Sequence, residues 1–551
     1  MSSEKPWLKY WPTNVPKSID YPMVPLHEIL ANTAWAYPKQ TAVEFLDAQI
    51  TYGKLNLFSD QFAAALTRLG VKQGDRIAIF LPNIPQFVIA YFGVLKAGAV
   101  LTAISPLHKE REVEYQLCDS EATAIVALDS LYSIVANVWP KTKLKHVIVT
   151  SLEEYAAKSA VPTSKPAQKA GVYSFQELLK TSADAKPPNA DINPREDLAA
   201  LQYTGGTTGT PKAAMLTHMN LVSNTTAFAA WIRGVKAKET FLTALPLFHI
   251  YGMTTSMNVP ISLAAKMVLL PRFDLLKALE TIQKHRITVF CGVPTMYAVL
   301  LAHPALDKFD LTSIRVCISG ASPLPPQVQK QFMEITGGFL AEGYGLSEAS
   351  PVTHCNPVDR AMKTVRIGSI GLPLPDTDAQ IFDLETGTKT LKAGEIGELA
   401  VKGPQVMKGY WRKPEETARV LRNGWLYTGD IARMDENGYF YITDRKKDLI
   451  KYKDYSVYPR ELEDVLYEHP SVKLCTVIGK PDRLAGEIPK AFVVLKEGAN
   501  ATEAELMCFV NEKVASYKAV REIEFRKELP VSSAGKVLRR VLQEEEKNKR
   551  L

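Results

Sequence analysis

The chain has 551 residues, of which 46% are hydrophobic and 23% charged, and a formal net charge of +7. That length exceeds what one hydrophobic core organises, so two or more domains are expected, and the composition excludes a globally disordered or fibrous chain. The modest positive charge, without a dense basic stripe interleaved with aromatics, speaks against nucleic acid as a partner and suits anionic small molecules.

In chain order, the opening MSSEKPWLKYWP has no apolar run, so no secretory leader is expected and the compartment is expected to be the cytoplasm. RIAIFLPN (76–83) reads as a strand ending in a Pro-Asn turn. PQFVIAYFGVLKAG (85–98) reads as a helix closed by Gly98, and AVLTAI (99–104) as the next strand. Because Lys96 and Gly98 interrupt it, the most apolar stretch, 86–104, is expected to be a buried helix and strand and not a membrane span. TAIVAL (123–128) and KHVIVTS (145–151) continue the alternation. The Ala-, Ser-, Lys- and Pro-rich stretch 156–194 reads as a surface excursion before the sheet resumes at LAALQYTGG. KMVLLP (266–271), TVFCGVP (288–294) and RVCISGASPL (315–324) read as further strands, with LLKALETIQKHR (275–286) as a helix. Strands separated by helices imply parallel sheets covered on both faces, with ligands at the carboxyl ends of the strands.

From about Asp444 the pattern changes. PRELEDVLYEHP reads as a helix with Pro459 at its first position, KLCTVIG (473–479) and IPKAFVVLK (488–496) as strands, and TEAELMCFVNEKVASYK as a helix opened by a Thr502–Glu505 capping box; VREIEFR (520–526) is another strand. The expected organisation is α/β: a large domain of helix-covered sheets over 1–443 and a small, mobile α+β domain over 444–551. The six cysteines, Cys118, Cys291, Cys317, Cys355, Cys475 and Cys508, show no metal or redox spacing and read as ordinary thiols. The terminal EEEKNKRL reads as a solvated tail.

The chemistry concentrates in YTGGTTGTPKAAMLTH (203–218). Glycines and threonines in a row contribute little to a core but expose amides and hydroxyls at close range, which suits a polyphosphate. It is not a Walker A loop, since Thr-Pro separates Gly209 from Lys212 and Ala213 stands where Ser or Thr would hold magnesium. After Lys212 the pattern reads as a return to an apolar, helix-like run. Five further stretches follow in order: EGYGLSEAS (342–350), GELAVKGPQVMKGYW (397–411), LYTGD (426–430), YITDRKKDLIKYKDYSVYPRELE (441–463) and SSAGKVLRR (532–540).

Together these stretches resemble the adenylate-forming superfamily over about residues 25–542: acyl-CoA synthetases, aryl-CoA ligases, luciferases and peptide-synthetase adenylation domains. The resemblance implies activation of a carboxylic acid by ATP to an acyl-adenylate, then transfer to coenzyme A with release of AMP. It implies that residues 204–212 wrap the β- and γ-phosphates (Thr204, Gly205, Gly206, Thr207, Thr208, Gly209 and Lys212), and that Glu348 holds Mg²⁺ with Thr204 nearby. Tyr344 is implied to lie against adenine, with Gly320 and Ala321 on its other side, Gly343 and Gly345 letting the backbone approach, and Ser347 in the same nucleotide-binding stretch. Asp430 is implied on the ribose hydroxyls, Arg445 on the ribose–phosphate side, Lys536 on the substrate carboxylate and α-phosphate, Lys447 at a hinge, and His249 beside the acyl carboxylate.

Three positions depart from the family pattern: Gly205 where Ser is common, Ala213 where Gly is usual, and Asp454 where relatives mostly carry Gly on the route of the pantetheine thiol. The acyl-side candidates, Phe248, Ile250, Tyr251, Met253 and 291–297, carry no charge to read an amine or a second carboxylate. That favours a medium- or long-chain fatty acid, with an aryl acid (a 4-coumarate-like ligase) as the alternative. A luciferase-like oxygenase is a more distant rival. A catalytically silent lipid- or nucleotide-binding relative is disfavoured by the presence of Lys536, Glu348 and Asp430 together. Oligomeric state stays open.

Overall fold

The computed structural model describes residues 5–157, 169–204, 211–359, 364–453, 455–482, 484–531 and 537–549. They form two compact units: the chain up to Asp378 together with Lys402–Gly424, and Ala379–Val401 together with the chain from Trp425 onward.

Two sheets organise the first unit. One runs, in spatial order, Gly409–Tyr410, Lys212–Thr217, Leu198–Thr204, Val100–Ala103, Arg76–Phe80, Ala124–Leu128, His146–Thr150 and Val172–Ser174. Its centre is parallel, as the alternation of apolar runs and helices predicts. Lys212–Thr217 adds antiparallel to Leu198–Thr204 and places Lys212 directly opposite Thr204. The other sheet runs Leu372–Pro373, Val352–Cys355, Phe339–Gly345, Val316–Ser319, Val289–Gly292, Thr240–Thr243, Lys266–Leu269, Thr41–Phe45 and Ala48–Thr51. It too is parallel at its centre.

Two expectations change here. KAAMLT is a strand, not the start of a helix, and the helix His218–Trp231 begins only after Thr217 caps it. Within 156–194 the chain returns to the sheet edge as Val172–Ser174 and forms the helix Phe175–Thr181. The buried Phe175, Leu178 and Leu179 explain this: a short apolar triplet packs even inside a polar, Pro-rich stretch.

The helix Pro85–Lys96 is buried along its whole length. Proline opens it, and Gly98, at φ +69°, turns the chain into the next strand as expected. Its last residue brings an ammonium into the core. Lys96 Nζ is satisfied by Asp60 Oδ1 at 2.6 Å, Asn56 Oδ1 at 2.7 Å and Ser59 Oγ at 2.8 Å, all from the helix Tyr52–Arg68. The buried Asn83 ties the two sheets together. Its amide donates to the carbonyl oxygens of Leu245 at 2.8 Å and Thr243 at 3.2 Å, and its Oδ1 accepts from Leu247 N at 2.8 Å.

The second unit holds an antiparallel sheet of Asp378–Phe382, Gly397–Lys402, Trp425–Met434 and Phe440–Arg445. It also holds a mixed sheet of Tyr455–Val457, Ile450–Tyr452, Gly486–Leu495, Val472–Asp482 and Glu522–Phe525. The helices Pro459–Tyr467 and Glu503–Asn511 supply its core, the latter opened by the expected Thr502–Glu505 capping box but ending earlier than the sequence pattern implied.

Removing the counter-charge of Lys96 should cost more than removing Lys96 itself, because an ammonium left in the core keeps its desolvation penalty. Asp60→Ala is expected to destabilise the first unit by about 3 kcal/mol, and Lys96→Met by clearly less. Thermal unfolding of both variants against the parent checks the order; the reverse order would contradict it.

Candidate active site

Three parallel strands of the second sheet end side by side, with Gly292 opposite Ser319 and Ser319 opposite Glu342. This is the edge where open α/β sheets take ligands. His249 caps the helix Ile250–Met253, and its Nδ1 accepts from Tyr251 N at 3.2 Å. The neutral ring therefore carries its proton on Nε2. Two residues on, Tyr251 is buried. Its hydroxyl donates to the Ile318 carbonyl at 2.9 Å, with the Gly292 carbonyl at 3.4 Å, and burial pushes the phenol well above its ordinary pKa. A Cβ on Gly320 would lie 3.1 Å from the Tyr251 ring, so glycine is the residue that leaves the tyrosine in place.

Phe339–Gly345 pairs antiparallel with Val352–Cys355, and the register shifts between Tyr344 and Gly345. At Gly345 a Cβ would fall 2.0 Å from the Pro351 carbonyl oxygen, which leaves no room for a side chain. At Gly343 it would meet Ile318 Cγ2 at 3.0 Å. The Tyr344 ring stands edge-on to His354 at 5.9 Å, and burial holds His354 neutral, its pKa pushed down to about 3. Ala321 is exposed and left-handed, at φ +68°.

Ser347 and Glu348 lie in the turn Ser347–Ala349, which packs against both Leu198–Thr204 and Lys212–Thr217. Thr204, Lys212 and Glu348 are thereby brought to one place, and Tyr410 links them. Its hydroxyl donates to Glu348 Oε1 at 2.7 Å, and the Lys212 ammonium sits 4.9 Å from its ring centroid. Lys212 Nζ is also paired with Glu416 Oε2 at 2.7 Å; that hydrogen bond holds the Glu416 carboxyl below its usual range. Met407 N donates to the Glu348 carbonyl at 2.8 Å, which fixes the turn from the same chain segment.

Asp430 and Arg445 belong to the second unit. They face each other across two antiparallel strands, with Arg445 Nε 3.3 Å from Asp430 Oδ1. Lys447 is exposed in the turn that follows Phe440–Arg445. The residues flanking that turn are anchored. Asp444 is buried; its Oδ1 accepts from Arg445 N at 2.7 Å and its Oδ2 from Arg460 N at 2.8 Å, at the start of the helix Pro459–Tyr467. Arg539 reaches Asp448 Oδ2 at 3.0 Å, both oxygens of Glu463 at 2.6 and 2.7 Å, and Asp444 Oδ1 at 3.6 Å. Among the expected residues, Gly205, Gly206, Thr207, Thr208, Gly209 and Lys536 lie outside the described residues, as does Asp454.

A sequence profile of the AMP-binding enzyme family matches residues 30–411. The chain belongs to that family. The profile of the AMP-binding enzyme C-terminal domain matches residues 461–536, so Lys536 is its last matched position. A long-chain-fatty-acid–CoA ligase of Bacillus subtilis is 46% identical over 99% of both chains. One from Escherichia coli is 37% identical, again over 99% of both. Among solved structures, ATP-bound MatB from Rhodopseudomonas palustris superposes with a TM-score of 0.84 at 31% identity, over 96% of this chain and 100% of that one.

Four residues that contact or anchor the expected ones were not singled out from the sequence: Tyr410 and Glu416 in the first unit, and Asp444 and Arg539 in the second. Tyr410, Asp444 and Arg539 sit inside stretches that carry the family resemblance, but what each does depends on a partner far away in sequence. Glu416 lies just beyond them, in the charged run KPEETARV, which looks like a solvated helix face.

Burial of Asp444 outweighs its hydrogen bonds and the Arg539 charge, and its pKa is raised to about 6. An unfolded aspartate titrates near 3.9, so between about pH 4 and 6 the unfolded chain has lost this proton while the native chain still holds it. Stability from this group is therefore full below about pH 4, falls as pH rises to about 6, and is lower by about 3 kcal/mol at neutral pH. Thermal unfolding between pH 4.5 and 7.5 should show a shallower pH slope for Asp444→Asn than for the parent; equal slopes would remove Asp444 as the cause.

Proposed function

We propose that the chain is an ATP-dependent acid–thiol ligase that converts a long-chain fatty acid to its CoA thioester, through an acyl-adenylate, with release of pyrophosphate and AMP. Full-length identity of 46% to a long-chain-fatty-acid–CoA ligase carries the choice of substrate class. The uncharged residues around Tyr251 support it: Ile250, Met253, Cys291 and Tyr297 are all buried and offer neither an acid nor a base to a second polar group on the substrate.

The carboxylate oxygen attacks the α-phosphorus of ATP and the bond to pyrophosphate breaks. The CoA sulfur then attacks the acyl carbon and the bond to AMP breaks, the thiol proton leaving to solvent. A carboxylate is a poor nucleophile and the phosphate oxygens repel it, so the protein's part is to align the reactants and neutralise charge. In this reading the loop from Thr204 to Lys212 cradles the β- and γ-phosphates, Tyr344 and the Gly320–Ala321 turn flank adenine, and Asp430 takes the ribose hydroxyls beside Arg445. His249 orients the acid; it is not needed as a base, because the acid is already ionised at neutral pH.

Glu348 is the residue that would hold Mg²⁺. Its carboxylate suits a hard, oxygen-preferring cation, and its turn packs on the strand that ends at Thr204. Bound there, Mg²⁺ would neutralise charge on the phosphates. Lys536 carries the charge that meets the reacting oxygens. The division at 443/444 is functional in the same reading, with Lys447 as the hinge that lets a single chain perform both half-reactions. No described helix is long and apolar enough to cross a membrane.

Lys536→Ala should bind Mg·ATP but release pyrophosphate about 100- to 1,000-fold more slowly, the effect of removing one donor to a developing charge. The test is pyrophosphate release with Mg·ATP and a panel of fatty, aryl and amino acids, with and without CoA, reading AMP and thioester by mass spectrometry. Fatty-acid-dependent pyrophosphate and acyl-CoA support the proposal. Turnover restricted to aryl acids would replace the substrate class, and no turnover with any acid would replace the enzyme reading with a binding one.

A further inference from the structure

Lys212 is the positive charge that the proposed function assigns to the triphosphate, yet its ammonium is already engaged within the protein. Glu416 Oε2 holds it at 2.7 Å, and the face of Tyr410 lies beneath it. The other oxygen of the same carboxylate, Oε1, pairs with Arg419 Nη1 at 2.7 Å. Glu416 thus stands between two cations of unequal placement: Lys212 is 14% exposed and faces the site, and Arg419 is 67% exposed and faces solvent.

We infer that Glu416 competes with nucleotide phosphate for Lys212, and that it retires to Arg419 when the triphosphate binds. The inference rests on the reading that Lys212 meets phosphate. Two carboxylate oxygens next to a polyanion would repel it, so Glu416 and the triphosphate compete for one ammonium and do not share it. The carboxylate has somewhere to go without losing its charge partner, because Arg419 lies one helical turn further along Pro414–Val420. The Glu416 contact also keeps Lys212 from pairing with Glu348, whose Oε1 is taken by the Tyr410 hydroxyl at 2.7 Å. The exchange replaces one charge-assisted hydrogen bond with another, so it tunes nucleotide affinity and does not abolish it.

The local fold does not depend on the Glu416 charge. Its helix is fastened by Thr417, whose Oγ1 accepts from Tyr410 N at 2.9 Å and donates to the Lys413 carbonyl at 2.9 Å. Glu416→Gln is isosteric and leaves those bonds in place.

The experiment is calorimetric titration of the full chain with Mg·ATP in the absence of acid substrate. The variants are Glu416→Gln, Arg419→Ala, Lys212→Ala and the Lys212→Ala/Glu416→Gln pair. Glu416→Gln should tighten Mg·ATP about five- to tenfold, the worth of one partly exposed ion pair plus relief of repulsion. Arg419→Ala should weaken it about twofold, because Glu416 then has only Lys212 to hold. In the Lys212→Ala background the gain from Glu416→Gln should shrink to less than twofold. Binding that is unchanged or weakened in Glu416→Gln, while Lys212→Ala is impaired, overturns the inference and leaves Lys212 as the phosphate residue. An equal gain with and without Lys212 overturns it too, reducing Glu416 to a general repulsive charge. Unimpaired binding in Lys212→Ala removes the underlying assignment and the inference with it.

Discussion

Lys212 and Glu348 are brought close together at the ends of neighbouring elements, and a lysine and a carboxylate so placed attract each other. At about 4 Å and an effective dielectric of about 20 the attraction is about 4 kcal/mol, enough to close the site on its own charges. Tyr410 stands against that collapse. Its hydroxyl satisfies Glu348 while its ring lies under Lys212, so the two charges meet different parts of one neutral side chain. Everything around the site serves that placement. Gly409–Tyr410 is held as an edge strand on Lys212–Thr217, with Tyr410 opposite Ala214, and the Glu348 turn packs on the same two strands that end in Thr204 and begin at Lys212.

The alternation of apolar runs with amphipathic helices was readable from the residues alone, because both sheets bury their central strands on two faces and such strands leave a continuous apolar trace. Ala124–Leu128 and the helix Pro85–Lys96 fall within a residue or two of their expected bounds. The misread segments are those where local pattern and tertiary context disagree. KAAMLT has the small residues of a helix, but its partner Leu198–Thr204 is already in place and draws it into the sheet. Phe175, Leu178 and Leu179 pack although the surrounding composition is that of a loop.

The site divides in the same way. Residues placed by backbone shape, such as Gly320, Gly343 and Gly345, leave a mark in sequence, since a side chain at 345 would strike the Pro351 carbonyl and one at 320 or 343 would crowd its neighbour. Residues that act through a distant partner leave none. Arg539 is one of two consecutive arginines in SSAGKVLRR, and nothing local separates it from Arg540. Only the fold brings Arg539 onto Glu463 and Asp448, while Arg540 reaches no further than Glu544 on its own helix. The same holds for Asp444, whose two oxygens accept from one amide beside it and one sixteen residues further on.

The contact between Gly320 and Tyr251 makes position 320 a handle on the placement of that ring. The tyrosine hydroxyl is fastened between two strand-end carbonyls, so the ring swings about a fixed tip. One methyl group at position 320 presses on the ring, which must give by a few tenths of an ångström to admit it. Position 320 is therefore a fine adjustment screw for the seat of Tyr251, reached from the backbone side. A larger side chain there would shear the tyrosine from its carbonyls and convert the adjustment into a break.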